Sequence, residues 1–175
     1  MRGLTDGQRI REFMAALGRE ALGETRVYFT GGVCAVLEGW RATTIDADIR
    51  MVPERDELFR ALVTLKERLQ MNVELASSPP DFIPELPGWA DRSPFVAREG
   101  LVSYYYFDFY SQALAKIERG HAQDGDDVRS MLESGRVERS QLRTMYDRIV
   151  PLLPRYPAID PARFRRRLDE TLAGR

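Results

Sequence analysis

The sequence predicts an α+β fold, with a mixed sheet core flanked by helices and a helical C-terminal part. Three observations lead there. The chain has 175 residues, 43% of them hydrophobic and 30% charged, enough apolar material for a real core at the size of one domain. Short runs with strand periodicity alternate with amphipathic helices over the first hundred residues. From Phe109 onward every periodic segment is helical. The expected division is a residue 1–108 α/β core and a residue 109–175 helical region packed on it as one compact unit.

Residues 6–22 place Ile10, Phe13, Met14 and Leu17 on one face, the stripe of a core-facing helix, with Gly23 as its stop. Val27 to Phe29 is a short strand broken by Gly31-Gly32, and Val33 to Leu37 is a buried helix ending near Gly39. Ile45 to Val52 alternates apolar residues with Asp46, Asp48 and Arg50, the pattern of a strand with one polar face closed by Pro53. Residues 54–69 form a second amphipathic helix through Leu58, Leu62, Leu65 and Leu69, and Met71 to Leu75 is another strand. The proline-rich stretch from Ser77 to Gly88 carries Phe82, Ile83 and Leu86, so it reads as an ordered loop packed on the domain. Phe95–Arg98 and Leu101–Phe107 flank Glu99-Gly100 as a hairpin. Helices follow at Ala113–Arg119, at Asp126–Glu133 with Gly135 as the stop, and from a Ser140 cap to about Val150. Asp160-Pro161 opens the last helix.

Composition removes several classes of chemistry. Cys34 is the only cysteine and His121 the only histidine, so an intrachain disulfide, a cysteine zinc site and a two-histidine metal site are all excluded. The net charge of −1 and a pI near 6.0 give no overall pull toward nucleic acid or membrane. No run approaches the roughly 20 apolar residues of a membrane span, and the N-terminus lacks the apolar stretch of a signal peptide. The expectation is therefore a cytoplasmic protein. Lys66 and Lys116 are the only lysines among many arginines.

The segment with chemical potential is Gly31-Gly32, followed by Asp46-Ala47-Asp48. On a strand, residues two apart share a face, so Asp46 and Asp48 project side by side. Two such carboxylates repel unless a cation lies between them. Mg²⁺ takes one or two carboxylates plus phosphate oxygens, and can activate an attacking hydroxyl. The glycines let backbone amides approach a phosphate, and the following helix N-terminus favours an anion. Each element has a bland reading: Gly-Gly as a turn, Asp-x-Asp as a solvated face. In this order they make one coherent nucleotide-phosphate site.

The stretch TGGVCAVLEGWRATTIDADI resembles motif I of the nucleotidyltransferase superfamily, whose fold is polymerase-beta-like. It is most similar to the group holding the AbiEii-type abortive-infection toxins and the MenT toxins. A second block, ALAKIERGHAQDGDDVRSML, resembles the later motifs of that family, in which a helix lysine and an arginine precede an Asp-x-x-Asp pair. Lys116, Arg119, Asp124 and Asp127 fit these positions, whereas Gln123 stands where the family often has a basic residue. The resemblance implies a metal-dependent enzyme that uses Mg²⁺ or Mn²⁺ and a nucleoside triphosphate. It would transfer a nucleoside monophosphate to a hydroxyl of tRNA or protein. It also implies a toxin of a toxin–antitoxin pair, with a cognate antitoxin as partner.

The implied roles are as follows. Asp46 and Asp48 hold the metal and act in catalysis, with Glu74 the best-placed third carboxylate and Asp108 the runner-up. Thr30, Gly31, Gly32, Arg41 and Thr44 bind the nucleotide. Lys116 stabilises phosphate charge and Asp127 orients the nucleophile or base, with Asp124 beside it on the nucleotide. Solvent-facing or helix-start positions are the plain alternatives for Lys116 and Asp124. The competing function is a nucleotide-binding or partner-binding regulatory module of the same fold without turnover, or an antitoxin-like role. The aromatic run Tyr104–Tyr110 reads as a strand packed on both faces, and Arg163, Arg165, Arg166 and Arg167 as a solvated helix face. Cys34 reads as a small core residue and His121 as a surface-loop residue.

Overall fold

The computed structural model describes residues 3–75 and 79–174. The chain divides into two compact units, one of residues 1–78 and 93–107 and one of residues 79–92 and 108–175. The fold is α+β, a mixed sheet flanked by helices, with seven α-helices among the described residues. No helix among them is long and apolar enough to cross a membrane.

The first unit runs β1 (Thr5–Asp6), α1 (Gly7–Glu20), β2 (Thr25–Thr30), α2 (Gly32–Leu37), β3 (Thr43–Thr44), β4 (Asp46–Val52), α3 (Asp56–Arg68), β5 (Asn72–Glu74), β6 (Phe95–Glu99) and β7 (Val102–Tyr106). Five strands form one sheet in the order β5-β4-β2-β7-β6. β2 pairs antiparallel with β4 and parallel with β7, β4 pairs parallel with β5, and the hairpin β6–β7 is antiparallel. β1 and β3 make a separate two-stranded ribbon, Thr5 opposite Thr44. Strands of two residues carry no readable periodicity, which is why the sequence gives no hint of this ribbon.

Alternation decides which face is buried. Ala47, Ile49 and Met51 of β4 are buried, while Asp46, Asp48 and Arg50 between them are half-buried. Val27, Phe29, Val73 and Tyr104 are also fully buried, together with Ile10, Phe13 and Leu17 of α1 and Leu58, Leu62 and Leu65 of α3. α1 packs against α3, β6 and β7. Asp6 caps α1 by accepting from the Arg9 N–H at 2.9 Å. The Tyr104 hydroxyl donates to the Met14 carbonyl at 2.9 Å. Burial, with the Glu99 charge adding to it, pushes that phenol far above its ordinary pKa, so it remains a donor.

The second unit holds a short 3-10 turn at Pro79–Asp81, then α4 (Phe109–Arg119), α5 (Ala122–Glu133), α6 (Arg139–Ile149), a 3-10 turn at Val150–Arg155, and α7 (Pro161–Leu172). α4 contacts α5, α6, α7 and the first 3-10 turn. Leu114, Met131, Leu142, Ile149, Phe164 and Leu168 are buried in it, and the Tyr146 and Phe164 rings meet edge to face at 5.0 Å.

Three local expectations are revised. The proline-rich stretch, whose residues 77–78 lie outside the described ones, groups from Pro79 with the helices instead of with the strand-rich core before it. Arg92 is one tie to the helices: its guanidinium donates to both carboxylate oxygens of Asp108, at 3.2 and 2.8 Å, and to the Pro87 carbonyl at 2.7 Å. α5 begins at Ala122, four residues earlier than the apolar pattern indicates, because Asp124 and the residues near it are polar yet helical. α6 begins at Arg139 with Glu138 as its N-cap, so Ser140 is not the cap.

Candidate active site

The site in the first unit starts from β4. Cross-strand register sets Asp48 opposite Thr30 of β2 on one side and Glu74 of β5 on the other, and Asp46 opposite Asn72. Residues directly opposite point to the same face. One sheet face therefore carries Thr30, Asp46, Asp48, Asn72 and Glu74. The Asn72 amide lies between two carboxylates, donating to Asp46 Oδ1 at 2.6 Å and to Glu74 Oε1 at 3.0 Å. A lone asparagine in a strand gives no sequence signal, and Asn72 is the residue of this face that sequence reasoning misses.

The glycine pair closes over this face. Gly31 has φ 63° and ψ −132°, a conformation essentially reserved for glycine. A Cβ there would lie 3.1 Å from Asp48 Oδ2. A Cβ on Gly32 would lie 2.0 Å from Thr44 Oγ1, so the Thr44 side chain fills the space glycine leaves. Thr44 Oγ1 in turn donates to the Asp46 carbonyl at 3.1 Å. Thr30 Oγ1 is buried and has no hydrogen-bond partner among the described residues. Arg41 is half-buried beyond α2, its backbone N–H bonded to the Ala35 carbonyl at 3.1 Å.

These residues fit a hard divalent cation with open coordination positions. The Asp48 carboxylate stands within reach of a turn that has no side chain, beside an orphaned hydroxyl. Among the described residues no three His, Cys, Asp or Glu side chains gather to enclose an ion by themselves. Two carboxylates with remaining positions left to water and substrate oxygens is the arrangement Mg²⁺ uses on phosphates.

The second unit brings Lys116, Asp124 and Asp127 together, with Arg119. The Lys116 ammonium, buried on α4, donates to Asp127 Oδ2 at 2.7 Å and to Asp124 Oδ1 at 3.3 Å. Arg119 grips Asp124 with two bonds, Nε to Oδ2 at 2.8 Å and Nη2 to Oδ1 at 2.6 Å. Burial alone would raise the Asp124 pKa, but the Arg119 bonds and the Lys116 charge outweigh it, and the carboxyl is held below its ordinary value. The four charges cancel. A cleft of about 460 Å³ opens beside them, bounded by Lys116, Asp124, Gly125, Val128, Arg139 and Arg167.

The chain matches, over residues 8–156, the model of a family described as a nucleotidyltransferase of unknown function, DUF6036. The chain belongs to this nucleotidyltransferase family. No curated protein and no solved structure matches it.

Other residues of this nucleotidyltransferase have structural employment. Asp108 is fully buried and accepts from Arg92, from Ser111 Oγ at 2.7 Å and from the Tyr110 N–H at 3.3 Å. It caps α4, and both of its oxygens are engaged in these bonds. Within the aromatic run, Tyr104 and Tyr106 are buried, and Tyr105 stacks on Tyr28 with centroids 5.4 Å apart. Cys34 is buried and donates from Sγ to the Phe29 carbonyl at 3.1 Å. His121 is the exposed N-cap residue of α5. Arg163, Arg165 and Arg166 each face an acidic side chain of their own unit, and Arg167 bonds the Glu118 carbonyl.

Proposed function

We propose that this nucleotidyltransferase moves a nucleoside monophosphate from a nucleoside triphosphate to a hydroxyl of tRNA or of a protein. The acceptor oxygen forms a bond to the α-phosphorus, the bond from that phosphorus to the β-phosphate oxygen breaks, and pyrophosphate leaves with the electron pair. The acceptor's proton passes to a carboxylate or to water. Mg²⁺ or Mn²⁺, when bound, neutralises phosphate charge and lowers the pKa of the attacking hydroxyl.

The observation that carries this reading is the pairing of Asp46 and Asp48 on one face of β4, with Asp48 Oδ2 at the side-chain-free Gly31 turn. Asp46 and Asp48 hold the metal, and Glu74 stands on the same face tied to Asn72, outside any three-carboxylate cluster among the described residues. Gly31 and Gly32 offer backbone to the phosphates, the unpartnered Thr30 hydroxyl offers a donor, Thr44 borders the same turn, and Arg41 adds a guanidinium for the nucleotide. In the helical unit, Lys116 supplies positive charge for the phosphates and Asp127 orients the nucleophile or base, while Asp124 stands bonded to Lys116 and Arg119. The similarity of both motif blocks to the AbiEii-type and MenT groups supports a toxin acting in the cytoplasm against which a cognate antitoxin is encoded.

The test is incubation of the protein with Mg²⁺ and each labelled nucleoside triphosphate, with total tRNA or with cell protein as acceptor. Label transferred by the wild type and lost in Asp48→Asn is the expected result. Nucleotide-dependent stabilisation with no transfer to either acceptor would overturn turnover and leave a regulatory binding module.

A further inference from the structure

We propose that Asp124 and Arg119 are positioning residues that hold Lys116, and that Asp124 touches no ligand itself. This rests on the reading of Lys116 as the phosphate cation.

The argument is an inventory of donors and acceptors. A carboxylate has about four lone-pair sites. Asp124 Oδ1 accepts from Arg119 Nη2 and Lys116 Nζ, and Oδ2 accepts from Arg119 Nε and the His121 backbone N–H at 3.3 Å. Four donors fill it, and nothing remains for a ribose, a base or a metal. Lys116 has three N–H donors. Asp127 and Asp124 take two, which leaves one. With its side chain only 9% exposed, the ammonium is held in one orientation at the wall of the cleft instead of sampling rotamers. A lysine normally loses much rotamer freedom on gripping a ligand, and prior fixation removes that cost.

Arg119 completes the device because its planar fork matches a carboxylate with two parallel bonds, which an ammonium cannot do. It sits three residues from Lys116 on α4, one helical turn away, so one helix carries both the held cation and the clamp of its holder. Its charge balances Asp124 as Lys116 balances Asp127, so the cluster accommodates two buried carboxylates without net charge.

Lys116 can be read directly, because Lys66 is the only other lysine and serves as an internal reference. Full-length protein is acetylated with a limiting amine-specific reagent, with and without Mg²⁺ and each nucleoside triphosphate, and both lysines are quantified by mass spectrometry. Nucleotide affinity and Tm are measured on the same samples. Asp124→Asn removes a negative charge and an acceptor from the ammonium. Lys116 acetylation without nucleotide should then rise about tenfold relative to Lys66, the factor that goes with loss of one charged hydrogen bond holding the amine. Nucleotide affinity should fall about tenfold, in keeping with loss of a charged hydrogen bond.

Arg119→Lys keeps every charge but loses the fork. It should shift acetylation the same way by less, and the double variant should be no worse than Asp124→Asn alone, because both act through one bond. It also serves if Asp124→Asn fails to fold. Unchanged Lys116 reactivity in folded Asp124→Asn and Arg119→Lys overturns the proposal. So does weakened nucleotide binding with unchanged reactivity, which would make these residues direct contacts. If the wild type binds no nucleotide, the transferase reading of Lys116 fails, while the acetylation comparison without nucleotide still decides the positioning.

Discussion

Gly31 and Gly32 are adjacent, yet each is glycine for its own reason. Gly31 holds a backbone conformation closed to residues with a Cβ, and Gly32 leaves room for the Thr44 side chain. Gly31→Ala should therefore cost about 1–3 kcal/mol of stability from backbone strain. It should also push on Asp48 Oδ2, so nucleotide-dependent stabilisation should fall further than the Tm alone accounts for, as thermal shifts with and without Mg²⁺ and nucleotide would reveal. Asp124 carries a pH prediction. Its folded pKa is lowered, so its contribution to stability is fully present above the ordinary carboxylate value and is lost as pH falls through the lowered one. Urea melts taken downward from about pH 5 should lose this contribution in the wild type and show a flatter acid limb in Asp124→Asn. A flatter limb is absent if the clamp is not formed.

At the scale of elements, α4 begins where Asp108 is gripped by Arg92. Arg92→Ala leaves a fully buried carboxylate with its guanidinium gone and should destabilise by about 3 kcal/mol, read as a drop in urea midpoint at constant m. Asp108→Asn, which keeps the shape, should cost less. The strand β4 was legible from sequence because its alternation is strict and its polar positions coincide with Asp46 and Asp48. The start of α5 was not, since a helix whose first turns are polar shows no apolar stripe. Asp124 and Asp127 are polar and nevertheless buried, a placement that Lys116 and Arg119 make tenable and that no periodicity reports. The grouping of the proline-rich stretch with the helices was equally hidden, because the contacts of α4 with the 3-10 turn at Pro79–Asp81 and the Arg92–Asp108 salt bridge join residues remote in sequence.

At the scale of the whole molecule, the chain passes between its two compact units at residues 78–79, 92–93 and 107–108. A helical fragment beginning at residue 108 therefore lacks its 79–92 segment, and with it Arg92. Expressed alone, residues 108–175 should melt at lower temperature by circular dichroism than residues 79–92 joined to 108–175 through a short flexible linker. Equal melting would mean the segment contributes nothing. Binding adds a second expectation. A nucleotide and Mg²⁺ at about 100 times Kd should stabilise the intact protein by about 2.7 kcal/mol, and Asp48→Asn should abolish the Mg²⁺-dependent part.

The sequence by itself determined the α+β class, the shared face of Asp46 and Asp48 and the need for glycine before α2, because period-two alternation and the absence of a Cβ are local properties of the chain. Only the tertiary structure decided which distant groups meet those residues. Register set Thr30 and Glu74 on either side of Asp48, helix packing set Asp124 and Asp127 on Lys116, and Asp108 met Arg92 and Ser111. Hydrogen bonds between residues remote in sequence leave no periodic trace, since any donor of the right length can make them once the backbone has folded.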